Sequence, residues 1–322
     1  MLSPRPVLVR SAVPLGIAAS IGMYLVLIMG ATVTNTGSAQ GCARDWPLCR
    51  GQFIPEFTVQ TFIEFSHRAV AALESALILA FAAVVIALWR QRRGAMVLVA
   101  VMIASLLLQA GMGAAAVKWP QQPVVLALHF GISLIALAST VLTAVYAGSP
   151  NRSPSDDPKA LRVAAWGSLA YVYLLVYTGA YVSHAGDASA CATWPVCSSS
   201  GASGWATFFD LLHRAAALGA VVFAALLFWL ARRERAARPE ASVAAGAFLG
   251  TLLLQAAAGA ALVLTHFDLL SELLHAAVTG LVFVADAYLC FVLTRGRLQA
   301  QASRSIAALT PEGAGPGALG SG

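Results

Sequence analysis

Leu106-Leu-Leu-Gln-Ala-Gly-Met-Gly-Ala-Ala-Ala-Val117 returns as Leu252-Leu-Leu-Gln-Ala-Ala-Ala-Gly-Ala-Ala-Leu-Val263, at an offset of 146 (252 − 106 = 146). Working outward, Phe62-Ile-Glu-Phe-Ser-His-Arg68 matches Phe208-Phe-Asp-Leu-Leu-His-Arg214 at the same offset, as His129 matches His275. Upstream, Gly30-Ala-Thr-Val33 matches Gly179-Ala-Tyr-Val182 at an offset of 149 (179 − 30 = 149). Cys42-Ala-Arg-Asp-Trp-Pro-Leu-Cys49 resembles Cys191-Ala-Thr-Trp-Pro-Val-Cys197. Self-similarity at a fixed period marks a duplicated architecture. Residues 1–150 and 151–297 are the two halves, followed by a Gly-, Ala- and Ser-rich tail over 298–322 that reads as disordered.

The 322 residues are 59% hydrophobic and 11% charged. A soluble domain carries roughly 25% charge, and the deficit is what lipid demands. Eight apolar runs are long enough to cross a bilayer: Val13–Val33, Phe62–Trp89, Ala95–Val117, Val124–Tyr146, Val163–Val182, Phe208–Leu230, Ser242–Leu264 and Glu272–Leu293. Backbone in lipid must bond to itself, so the spans are helices. The first is long for a signal peptide and has an internal counterpart, so it reads as a helix of the fold. The expectation is an all-α membrane protein of eight transmembrane helices, arranged as two tandem pseudo-symmetric four-helix bundles. Each half has an even number of spans, so both share one topology, as in parallel repeats.

The net charge of +6 does not indicate nucleic acid, because the basic residues sit in short connections between spans. One side carries Arg5, Arg10, Arg90, Arg92, Arg93, Arg152, Lys159, Arg162, Arg232, Arg233, Arg235, Arg238, Arg295 and Arg297; the other carries Arg44, Arg50 and Lys118. The positive-inside rule then makes both termini cytoplasmic and the cysteine loops periplasmic or extracellular, in a multi-pass protein of the cell (inner) membrane.

Four histidines repeat as two pairs, His67 with His129 and His213 with His275, each in the first turns of an even-numbered helix. Two histidines on facing helices of a bundle can hold an iron axially. A histidine satisfied by a hydrogen bond at a helix end is the plainer reading for any one of them. Duplication of both pairs weighs against it, as does the cost of ionisable groups in a membrane. Two histidines per half are too few for a closed zinc site. The runs Gly111–Ala116 and Ala256–Ala261 leave room for a flat apolar ligand, or serve ordinary small-residue helix packing. His184 and His266 do not repeat and are assigned no iron.

Glu64 precedes His67 by one turn and shares its face. It is either a site carboxylate or a solvated first-turn acid favoured by the helix dipole. Its counterpart is the shorter Asp210, which suggests unlike roles for the two halves. Arg68 and Arg214 follow their histidines and suit haem propionates or snorkelling at a helix end. The cysteine pairs, Cys42 with Cys49 and Cys191 with Cys197, lie in loops on the oxidising side; they read as structural disulfides or as a redox exchange site. Cys290 has no partner and reads as packing. Glu74 and Asp286 lie deeper, roughly on the iron-facing side, and could carry protons; neither repeats, their counterparts being Ala220 and Thr140. Gln109 and Gln255 do repeat and are expected to hydrogen-bond across helices.

These residues together resemble the haem A synthase (heme A synthase) family. Glu64-Phe-Ser-His67-Arg68 matches that family's Glu-x-x-His-Arg motif, within eight spans, four paired histidines and outward cysteine pairs. The resemblance covers about Val13 to Leu293. It implies an oxidoreductase that converts the C8 methyl of haem O to a formyl group by successive hydroxylations, for cytochrome oxidase assembly. It implies haem O on His67 and His129 in the N-terminal half, and a resident haem B (heme B) cofactor on His213 and His275 in the C-terminal half. It makes Glu64 the essential carboxylate, and it matches Cys42, Cys49, Cys191 and Cys197 to members carrying both pairs. Implied partners are haem O synthase as supplier and a quinone as candidate electron acceptor, with lipid around the spans and a homo-oligomer left open. Two other readings are a di-haem electron-transfer cytochrome and a non-catalytic haem carrier or assembly factor. The cytochrome would set haems at both membrane faces, whereas all four histidines here fall on one side.

Overall fold

The apolar runs become eight long helices because only a self-bonded backbone is tolerated in lipid. The computed structural model describes residues 6–119, 122–149, 159–184, 191, 193–195, 197 and 204–309. Its helices are α1 (Pro6–Asn35), α2 (Val59–Trp89), α3 (Arg93–Lys118), α4 (Pro123–Gly148), α5 (Lys159–His184), α6 (Gly204–Arg233), α7 (Pro239–Leu264) and α8 (Leu269–Leu309). Each contains one expected span and extends past it, since helices end at caps rather than at the edge of hydrophobicity. Thr58 caps α2 by accepting from the Thr61 amide at 3.2 Å, and α4 and α7 open on Pro at the first turn, where a missing N–H costs nothing. All eight are long and apolar enough to cross a membrane, which makes this a multi-pass membrane protein.

One expectation is corrected. The segment expected to be disordered from 298 continues α8 through Leu309. Residues 298–309 hold four Ala, two Leu and two Gln, which are good helix formers; the glycines of the tail begin only at Gly313. Residues 310–322 lie outside the described residues.

Within the first half α1 packs on α2 and α4, α2 on α3, and α3 on α4; α5 to α8 repeat the same neighbours. The halves meet where α4 packs on α8, flanked by α4 on α5 and α1 on α8. Consistent with that position, 50% and 56% of the apolar windows of α4 and α8 are buried, against 22–28% in the other six helices. The α4 surface is accordingly small: Ala136, Ala138, Ser139, Thr140 and Thr143 are buried. The hydroxyls among them turn back onto their own helix, Thr140 donating to Ala136 O at 2.8 Å and Thr143 to Ser139 O at 2.6 Å. Tyr24 of α1 reaches across the halves and donates to Ala277 O of α8 at 3.0 Å.

Candidate functional site

The four repeated histidines come together on one cavity of about 1330 Å3 that runs through both halves. That exceeds the roughly 300–1,000 Å3 of an ordinary single-ligand site. His67 enters from α2, His129 from α4, His213 from α6 and His275 from α8. Each ring lies against a glycine of the preceding helix. A Cβ placed on Gly30 would lie 3.3 Å from Cε1 of His67, on Gly113 3.7 Å from His129, on Gly179 2.7 Å from His213 and on Gly259 3.3 Å from His275. The glycines repeat with the histidines, at offsets of 149 (179 − 30) and 146 (259 − 113). Thus the small-residue run of α7 has a use beyond helix packing, since Gly259 lets the His275 ring lie close to the backbone, whereas at Gly113 of α3 a Cβ would meet His129 at ordinary contact distance.

The two halves hold their rings differently. Nδ1 of His213 is 3.0 Å from the Thr178 hydroxyl, and His275 is contacted by the Gln255 amide nitrogen at 3.1 and 3.3 Å. Nδ1 of His67 and of His129 is buried without a hydrogen-bond partner. The position matching Thr178 is Met29 (178 − 149 = 29), which offers no hydroxyl. Gln109 instead donates to Ser133, as Gln255 donates to Thr279 at 2.8 Å. Both glutamines bridge helices as expected, and both leave Oε1 buried and unpaired.

At one end of the cavity stand the cysteine loops. Both disulfides are formed, Cys42–Cys49 with Cα atoms 4.5 Å apart and Cys191–Cys197 at 5.0 Å. Trp46 and Pro47, with Trp194 and Pro195, line the cavity there. Gly41 lies directly on the start of α2, where a Cβ would stand 2.4 Å from Gln60 O. Its carbonyl accepts from Thr61 Oγ1 and Arg50 Nε, both at 3.0 Å. This brings the Cys42 amide to Glu64, donating to Oε2 at 2.8 Å. The other carboxylate oxygen pairs with Arg68. Glu64 is 3% exposed, so the solvated-acid reading is excluded.

The arginines do what the sequence did not indicate. Arg68 Nη1 donates to Asp45 O at 2.7 Å and Leu48 O at 3.0 Å. Arg214 donates to Thr193 O at 2.6 Å, Pro195 O at 3.2 Å and Cys191 O at 3.0 Å, and to Asp210 Oδ2 at 2.8 Å. Each thus ties a disulfide loop to the helix bearing the adjacent histidine, using the fork of donors that Arg alone offers. Both still line the cavity.

Of the two deeper acids, Glu74 lines the cavity. Asp286 does not face it as expected: its Oδ2 accepts from Ser168 Oγ of α5 at 3.0 Å, and the residue is fully buried. Cys290 is buried in the core. His266 stands at the cavity edge in the turn after α7; the side chain of His184 lies outside the described residues.

Residues 54–286 match the model of a family described as cytochrome oxidase assembly protein, COX15-CtaA. The chain is also similar to three bacterial proteins each named heme A synthase. It is 37% identical to that of Exiguobacterium sp. over 84% of this chain and 90% of the relative. It is 36% identical to that of Bacillus licheniformis, over 89% and 97%, and 36% identical to that of Symbiobacterium thermophilum, over 84% and 91%. A match of this extent, over the helices that carry all four histidines and Glu64, places the chain in the COX15-CtaA family of cytochrome oxidase assembly proteins.

Proposed function

We propose that the protein is an oxidoreductase that converts the C8 methyl group of haem O to a formyl group through successive hydroxylations, giving haem A for cytochrome oxidase. One observation carries the reading. A single apolar cavity gathers four histidines fitted to glycines, and beside one pair stands a buried glutamate fixed by a loop amide and an arginine.

The N-terminal half, residues 1–150, receives haem O on His67 and His129. The C-terminal half, residues 151–297, keeps haem B on His213 and His275. The cavity fits such ligands: its walls are largely apolar, and the glycines clear the planes of the rings. Partners for the other ring nitrogen fix the orientation and basicity of a ligand histidine. His213 and His275 have them, which suits a resident group; His67 and His129 do not, which suits a ligand that must leave. Haem B held there supplies one-electron chemistry.

The chain's own residues orient and stabilise. Glu64, held by two donors, keeps its direction at the disulfide end of the substrate site. There it stabilises positive charge developing at the substrate's methyl carbon and can accept the departing proton. Arg68 and Arg214 set positive charge at that same end, where haem propionates are best accommodated. The disulfide loops are tied down by these arginines, and their Trp46, Pro47, Trp194 and Pro195 line that end of the cavity. They face the periplasm in our reading, with both termini cytoplasmic, because the arginine-rich connections lie at the opposite end. Haem O synthase supplies the substrate, water supplies the oxygen to the cationic carbon, and a quinone of the inner membrane takes the electrons.

Co-expression with a haem O producer, followed by chromatography of the extracted haems, tests the proposal. Wild-type protein should yield haem A. Glu64→Ala should retain bound haem and yield none; normal haem A from this variant would refute the role of Glu64, and haem O alone from the wild type would refute the activity.

A further inference from the structure

We infer that Glu74 recognises the hydroxyl group on the farnesyl-bearing substituent of haem O, and so selects haem O over haem B in the N-terminal half. The inference rests on the reading that His67 and His129 receive haem O.

Glu74 is 4% exposed, lines the cavity and leaves Oε1 without any hydrogen-bond partner. A buried polar atom left unpaired costs free energy, so one aimed into a ligand cavity points to a group that the ligand brings. The carboxyl packs against Gly22 of α1, where a Cβ would stand 1.8 Å from Glu74 Oε2 and the flexible end of the acid would have to turn aside. In the second half this pair becomes Tyr171 (22 + 149 = 171) and Ala220 (74 + 146 = 220). There the Tyr171 hydroxyl donates to Ala216 O at 2.9 Å. The acid and the glycine that accommodates it are therefore present together in one half and absent together from the other. The ligands proposed for the halves differ in the same sense: haem O carries a hydroxyl beside its farnesyl chain, and haem B carries a vinyl group at that position.

Placement agrees with chemistry. Glu74 follows His67 by seven residues (74 − 67 = 7), two turns, so it shares that helix face about 10 Å further from the disulfide loops. Arg68 and Arg214, at the disulfide-end rim, suit the anionic propionates better than the buried carboxyl of Glu74 does. In haem O the hydroxyl-bearing pyrrole lies diagonally opposite a propionate-bearing one. Propionates at the disulfide end then direct the hydroxyl inward to Glu74. The C8 methyl shares its pyrrole with the other propionate, so the same orientation sets it toward Glu64. Glu74 is a specificity residue and takes no part in the oxidation.

Titrations of haem O and of haem B, as separate probes, into full-length protein whose C-terminal half already holds its haem would test this. The readout is the Soret change of bis-histidine ligation. Wild-type protein should favour haem O over haem B, with the hydroxyl contact supplying roughly two- to tenfold of that preference, the value of a single hydrogen bond. Glu74→Ala should lower that preference by the same factor, by weakening haem O alone, and should raise KM for haem O without lowering kcat. Glu74→Gln, nearly isosteric and still an acceptor, should keep most of the preference. Equal weakening of both haems, or an unchanged preference in Glu74→Ala, would overturn the inference. So would a Glu74→Gln that loses kcat with its preference intact, since that marks a proton carrier. A His67→Ala variant separates the underlying reading: if it bound haem O as the wild type does, the assignment of the N-terminal site would fail, whatever Glu74 did.

Discussion

Substituting alanine at each of the four glycines beside the histidine rings should produce a graded loss of haem, in an order the distances set. At Gly179 the new Cβ would stand 2.7 Å from Cε1 of His213, so the ring must retreat by about 0.7 Å to reach ordinary contact at 3.4 Å (3.4 − 2.7 = 0.7). It cannot do so freely, because Thr178 holds Nδ1 at 3.0 Å. At Gly30 and Gly259, where the distance is 3.3 Å, the shift is about 0.1 Å (3.4 − 3.3 = 0.1), and at Gly113, at 3.7 Å, none is needed. Overpacking of the first kind costs about 1–3 kcal/mol, or roughly five- to 150-fold in affinity for a ligand held by that ring. Helix propensity opposes this by about 1 kcal/mol in favour of alanine at every one of the four positions. Gly179→Ala should therefore purify with the least haem, Gly30→Ala and Gly259→Ala with near-normal amounts, and Gly113→Ala with a normal amount and a raised Tm. Pyridine haemochrome content per mole of protein, with thermal unfolding alongside, gives both quantities. Equal haem in Gly179→Ala and Gly113→Ala would refute the claim that these glycines set the rings.

Thr178→Val, which keeps the shape and removes the hydroxyl, should speed loss of the C-terminal haem by about ten- to hundred-fold, as for other second-layer partners of ligand histidines; transfer to an apo-globin acceptor measures it. Arg214→Lys retains charge but cannot serve three carbonyls and Asp210 at once, so the Cys191–Cys197 disulfide should be reduced faster by a small thiol, while Arg68→Lys should do the same for Cys42–Cys49. Asp268, in the turn before α8, is held below the usual carboxylate range, first by the Thr265 hydroxyl and then by the Ser271 amide. A depressed folded value means its stabilising effect is present above the unfolded value and is lost as pH falls through the folded one, so the first turn of α8 should fray only in acid; amide exchange at Ser271 should lose that pH dependence in Asp268→Asn.

Which parts could be read from the chain follows from range. The eight spans, the duplication and the four histidines are patterns of composition and spacing; the spans lie within eight longer helices, and the four histidines line one cavity. Glu64 could be nominated by its one-turn distance from His67, but not its burial, because the amide that fixes it belongs to Cys42, 22 residues away in sequence. The arginines were visible only as neighbours of histidines; their bonds to loop carbonyls depend on how each disulfide folds the loop back. Gly113 and Gly259 stood within small-residue runs whose purpose was ambiguous, and only the neighbouring helix shows that each meets a ring. The extent of α8 is hidden in the average composition of 298–322, which merges a helix-forming stretch with a glycine-rich end.

The seam between α4 and α8 has a historical implication. Helices at equivalent places in the two copies touch each other there, the mark of an isologous contact in a two-fold oligomer. A single four-helix ancestor could have closed on an identical subunit through this face, with both subunits bound to remain alike. Fusion into one polypeptide lifts that constraint, so that a carboxyl could be kept at residue 74 and dispensed with at residue 220 without altering the partner.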